Sequence, residues 1–170
     1  MKLCNDNIAH VKALIEEAQA AGLHGAGWIA AMGAERCCEG YNGIGPEFLK
    51  PRVRAKVTEH LSIFEPAAVI HDMRNEFADG TREKFLAANE EFRHNCLVLA
   101  ERKYPQRNQR VRQRAAKAAA EILFKFVSAD GFGWKAWLEA HDRYISRQGL
   151  RPFTQHTATT CAAESPKENP

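Results

Sequence analysis

The stretch Phe64-Glu65-Pro66-Ala67-Ala68-Val69-Ile70-His71-Asp72-Met73-Arg74-Asn75 limits what this chain can become more than any other. Pro66 suits the first turn of a helix, where its missing N–H leaves no bond unmade. Ala67 to Ile70 form an apolar run, so the helix is expected to be buried. His71 and Asp72 follow at once. A charged group that ends an apolar run must meet water, a cation or a hydrogen-bond partner, and histidine titrates near neutral pH. The stretch predicts a buried helix that carries a general base beside a carboxylate able to ligate a cation. The plainer reading is a core histidine with a solvated aspartate at its rim.

The remaining segments read as helices and turns. Asn5 or Asp6 is expected to cap a first helix, in which Ile8, Val11, Leu14, Ile15 and Ala18 recur at helical spacing before Gly22 ends it. Residues 22–34 hold four glycines among Trp28, Ile29 and Met32 and predict a short irregular helix. Cys37 to Pro46 reads as a loop: its glycines and Asn42 permit positive φ, and Pro46 stops a helix from running through. Pro51 opens a helix with Val53, Val57 and Leu61 on one face. Asp79-Gly80 breaks the central helix. Asp79 or Thr81 then caps a long one over about 81–103, with Phe85, Asn89, Phe92, Cys96 and Leu99 along one side. A helix over about 107–128 is expected to bury Val111, Ala115, Ala118, Ile122 and Phe126. Asp130 caps the last, with Trp134, Trp137, Leu138, His141, Tyr144 and Ile145.

No strand pattern of length appears, so the fold class is all-α. The expected arrangement is a single helical domain over 1–150, built on an antiparallel helix hairpin, with a glycine-rich loop before it. The polar residues 151–170 are predicted to be a disordered tail. No apolar run reaches the length of a membrane span, and the first residues lack the basic-then-apolar pattern of a secretion signal. The five cysteines are an odd number with no C-x-x-C spacing, which argues against a zinc knuckle. These features predict a cytoplasmic protein with mostly reduced thiols.

The hairpin gives the His-Asp pair its context. His71 lies nine residues before Gly80 and Asn89 nine after it. Positions equidistant from a tight turn are level across an antiparallel pair, so Asn89 is the natural partner of His71. Its side-chain oxygen would fix the imidazole tautomer, leaving the other nitrogen to take a proton from water. Asp72 points about 100° away around the helix, toward the glycine loop. Carbonyl oxygens of such a loop can converge on a calcium ion.

On the residues Cys38-Glu39-Gly40-Tyr41-Asn42-Gly43-Ile44-Gly45-Pro46, Phe64-x-Pro66-Ala67-Ala68-x-x-His71-Asp72 and Asn89-x-x-Phe92-x-x-x-Cys96, the chain resembles the phospholipase A2 superfamily of the secreted His-Asp type. It is most similar to compact bacterial or phage-borne relatives, over about residues 36–100. The resemblance implies calcium-dependent hydrolysis of a phospholipid acyl ester. His71 would be the base and Asn89 the orienting group, with calcium held by Asp72 and by the backbone of Tyr41, Gly43 and Gly45. It implies a phospholipid membrane surface as partner. Three departures stand out. Asn89 replaces the family's carboxylate, and an amide cannot offset the charge of an imidazolium. Met73, Arg74 and Asn75 stand where cysteine and tyrosine usually follow, and the disulfide framework is missing.

Two other readings compete. Ala67 to Asp72 also resembles the central motif of all-α His-Asp metal-dependent phosphohydrolases, with His60 and His24 as upstream ligand candidates. A non-enzymatic phage or host-interaction module is the third. The cluster Arg102, Lys103, Arg107, Arg110, Arg112, Arg114 and Lys117 is either a solvated face or a phosphate-binding one, with Arg107, Arg110 and Arg114 as candidate membrane or phosphate contacts. Few aromatics interleave with it, which argues against single-stranded nucleic acid. His141-Asp142 repeats the dipeptide without a loop partner and reads as a helix-surface coincidence. Trp134 and Trp137 read as core, and Cys96 as a buried apolar residue.

Overall fold

A computed structural model describes residues 2–41, 43–44 and 61–149, with side chains from residue 7 onward. The expected helix after Pro51, the tail 151–170, Gly45, Asn42 and His60 lie outside the described residues. The described residues are all-α, without a strand. Seven α-helices follow in order: α1 Lys2–Ala21, α2 Ala26–Met32, α3 Ala34–Gly40, α4 Glu65–Glu76, α5 Arg82–Lys103, α6 Arg110–Val127 and α7 Lys135–Arg147.

The central helix is α4. Every residue from Glu65 to His71 is buried, and so is Met73. It packs against α1, α2, α3, α5 and α7, which accounts for an apolar run with no solvent-facing stripe. Phe64, Val69 and Ile70 sit in one core with Val11, Leu14, Ile15, Ile29, Phe92, Cys96 and Leu99. A smaller cluster of Ala78, Phe85, Ala88, Trp137 and Ala140 lies under the turn between α4 and α5.

Local chemistry sets the ends of these helices. Gly22 closes α1 at φ 67°, with its own N–H on Gln19 O and that of Leu23 on Ala18 O. That paired return of bonds requires a left-handed residue, which glycine supplies. Gly25, at φ 81°, has no room for a Cβ, which would stand 2.8 Å from both Glu91 and Ile70. The buried Asn95 side chain bonds both the N–H and the carbonyl of His24, satisfying the backbone where α1 turns into α2. Thr81 caps α5 by accepting from the Lys84 N–H while donating to Asp79.

Three expectations need correction. Because α1 already begins at Lys2, Asn5 and Asp6 lie inside it rather than at its cap. Cys37 to Gly40 are the last turn of α3, so the loop opens only at Tyr41. The third concerns α6. Val111 is 79% exposed and Ile122 68%, while Ala120 is buried and Ala116, Ala119, Leu123 and Val127 pack on the core. This helix has two apolar stripes, and its contacts with α5 choose between them. Glu121 pairs with Arg93, Lys117 with Glu101, and Phe124 lies under the Arg93 guanidinium. Together they turn the second stripe inward.

Candidate active site

The buried face of α4 carries His71 against α5. His71 Nε2 lies 2.9 Å from Asn89 Oδ1, and its ring rests on Phe92 with centroids 4.8 Å apart. His71 is 8% exposed and Asn89 1%. The amide orientation follows from the other end of Asn89, where Nδ2 makes a long contact of 3.5 Å with the carbonyl of Val127 at the end of α6. A carbonyl only accepts, so the nitrogen faces Val127 and the oxygen faces His71. That oxygen also only accepts, so Nε2 must carry the imidazole proton. The lone pair is then on Nδ1. Asn75 Nδ2 stands 3.4 Å from Nδ1 and Asp72 Oδ1 3.8 Å from it. The ring is thus held by its proton-bearing side, and its basic side accepts a long bond from the Asn75 amide beside the Asp72 carboxylate.

A second cluster joins the start of the loop to the start of α4. The Tyr41 hydroxyl donates to Glu65 Oε2 at 2.9 Å, and His10 Nε2 meets the same oxygen at 2.8 Å. Glu65 is only 7% exposed, and these two bonds compensate a carboxylate that would otherwise be costly to bury. Burial, the charge of Glu65 and the hydrogen bond to it, and then the charge of Asp72 push the Tyr41 phenol far above its ordinary range. The Tyr41 hydroxyl therefore stays protonated and donates.

His71, Asn89 and Asp72 therefore gather on α4 and α5, and Tyr41 is tied to the start of α4 through Glu65. Gly43 is described and has φ 85°, a conformation that glycine adopts without strain. Among the described residues no three His, Cys, Asp or Glu side chains converge on a metal position. A calcium site of backbone carbonyls and one carboxylate is a different donor set. His24 stacks on His94 at 4.3 Å and shares none of its observed contacts with His71 or Asp72. Arg107, Arg110 and Arg114 are exposed residues of the α5–α6 connection and the outer side of α6, and none touches the His71 cluster.

Four participants were not anticipated from the sequence: His10, Glu65, Asn75 and the Val127 carbonyl. Glu65 was the available signal, a carboxylate set inside an apolar run. Asn75 sits one helical turn after His71, a spacing that brings side chains together. The Val127 carbonyl has no side-chain signature at all. His141 also departs from expectation. It is 15% exposed rather than a surface residue, and a Cβ on Gly80 would stand 3.0 Å from its ring, so the α4–α5 turn is seated on it. Trp137 is buried as expected, and burial pushes the Cys96 thiol up, which makes it unreactive. No family model, no curated protein and no solved structure matches this chain.

Proposed function

We propose that the protein is a phospholipase A2-like hydrolase in which His71 activates water against an acyl ester of a phospholipid. The observation that carries this reading is the 2.9 Å contact between His71 Nε2 and Asn89 Oδ1, which an amide oxygen can make only with a protonated Nε2, so that the lone pair falls on Nδ1. Nδ1 takes the proton of the attacking water, and the imidazolium that forms finds the Asp72 carboxylate 3.8 Å away and the Asn89 oxygen on its other side. Buried packing on Phe92 and α4 keeps the ring in one orientation.

Asp72 and the backbone oxygens of Tyr41, Gly43 and Gly45 are the groups that would hold calcium. When bound, calcium supplies the positive charge that takes up the developing oxyanion. The Tyr41–Glu65 bond ties Tyr41 to the helix that carries His71 and Asp72.

The test is release of fatty acid from mixed phospholipid vesicles with calcium present. His71→Ala should lower the rate by about a hundred- to ten-thousand-fold. Equal background rates from wild type and His71→Ala would end the lipase reading. Hydrolysis of phosphate esters in its place would favour the His-Asp phosphohydrolase, and no hydrolysis of either would leave an interaction module.

A further inference from the structure

The outer side of α6 is the strongest feature that the His71 site does not use. Val111 and Ile122 are 79% and 68% exposed. Ala115 and Ala118 lie between them at helical spacing and are also exposed, and Phe126 continues the line and stacks on Phe132 at 5.4 Å. At about 100° per residue, Arg110, Arg114 and Lys125 form a second line beside this apolar one, and Arg112 falls at its far edge. Arg107 precedes them. All five cations are exposed, and among the described residues none is paired with a carboxylate. Glu121 of the same helix is engaged with Arg93, and Glu101 near the end of α5 with Lys117.

Two classes of partner would engage the arginines. Nucleic-acid phosphates would satisfy the charge but leave Val111 and Ile122 without a role. An anionic bilayer satisfies both lines at once, because aliphatic side chains enter the acyl boundary while cations meet headgroup phosphates. We propose that the outer face of α6 docks on an anionic lipid surface, with Val111 and Ile122 inserted and Arg107, Arg110, Arg114 and Lys125 on the phosphates. This deepens the phospholipid reading by naming the charge of the surface. The far end of the same helix bears the Val127 carbonyl that orients Asn89, so the docked face and His71 are joined by one helix.

The test is co-sedimentation of the full chain with vesicles in the presence of a calcium chelator, so that binding is scored without hydrolysis and the two readings fail separately. Binding is expected to phosphatidylcholine vesicles that contain phosphatidylglycerol, and not to phosphatidylcholine alone. The double variant Val111→Ser, Ile122→Ser should lower the partition about tenfold or more. Neutralising Arg110, Arg114 and Lys125 to glutamine should lower it about a hundredfold. These positions are exposed, and circular dichroism checks that helix content is kept. No binding to either vesicle, equal binding to both, or binding indifferent to the serine variant would overturn the proposal. Tighter binding to a short DNA duplex than to the anionic vesicles would overturn it too, and assign the face to nucleic acid.

Discussion

His71 Nε2 and Asn89 Oδ1 stand 2.9 Å apart inside the α4–α5 pair, and the Val127 carbonyl at the other end of the amide decides which atom donates. The consequence can be read directly. Long-range nitrogen–proton correlation spectra at a pH where His71 is neutral should show a bare Nδ1 and a protonated Nε2. A protonated Nδ1 would mean that the amide is turned around and that His71 offers no base toward Asp72.

The same contact changes what Asn89→Asp should do. From the sequence alone, an added carboxylate looks like a restored orienting charge that raises activity. In the structure one carboxylate oxygen would face the Val127 carbonyl at about the 3.5 Å now spanned by the amide nitrogen. Two acceptors facing each other in a buried site lose a bond and gain repulsion, at a cost of about 1–3 kcal/mol. Urea denaturation should show that loss, with no gain in fatty-acid release. An Asn89→Asp protein as stable as wild type and faster would show that Val127 does not constrain the site.

Gly133 offers an independent check on the Val127 carbonyl. A Cβ there would stand 1.6 Å from that oxygen. The backbone after α6 must therefore keep a glycine to lie against it. Gly133→Ala should shift the carbonyl, lower stability by about 1–3 kcal/mol, and move the His71 Nε2 proton resonance. A stable variant with an unmoved His71 resonance would detach this turn from the site.

Much of this was legible beforehand, for identifiable reasons. The all-α class came from helical spacing in nearly every segment, and the facing of His71 and Asn89 came from counting outward from Gly80. Both depend on short-range geometry. What misled was α6, where Val111, Ala115, Ala118 and Ile122 form as regular a stripe as Ala116, Ala120, Leu123 and Val127. Periodicity cannot choose between two such stripes. The choice lies in Arg93, Glu101 and the other α5 side chains that pin α6, and those contacts are tertiary. The Val127 carbonyl was invisible for a similar reason, since every residue has one and only the fold says which is aimed at an asparagine.

Tyr41 predicts how stability responds to alkali. Burial first, then the charge of Glu65 and the bond to it, hold the phenol protonated in the folded state. An unfolded tyrosine gives up its proton near pH 10. Below that value both states keep the proton and the contribution is intact. Above it the unfolded chain loses a proton that the folded one retains, so stability falls, by about 1.4 kcal/mol per pH unit for one group. Tyr41→Phe should cost about 1–3 kcal/mol at neutral pH, because Glu65 loses a donor, yet show a shallower decline between about pH 10 and about pH 11. Parallel declines in the two proteins would mean that Tyr41 ionises normally.

The cation separates the calcium reading from its metal-dependent rival without any assay of activity. A ligand that binds only the folded state stabilises it as its concentration exceeds its dissociation constant. Calcium at about tenfold over that constant should add about 1.4 kcal/mol, or about 2–4 °C per kcal/mol in melting temperature for a chain of this size. Asp72 is the only carboxylate in the proposed donor set. Asp72→Asn should therefore abolish the rise, whereas Glu65→Gln, which weakens the Tyr41 tether but leaves the donors in place, should lower the baseline and keep a smaller rise. Differential scanning calorimetry with calcium and with a chelator measures both. A rise with manganese or zinc and none with calcium would transfer Asp72 to a phosphohydrolase site, and a calcium rise that survives Asp72→Asn would place the ion elsewhere on the protein.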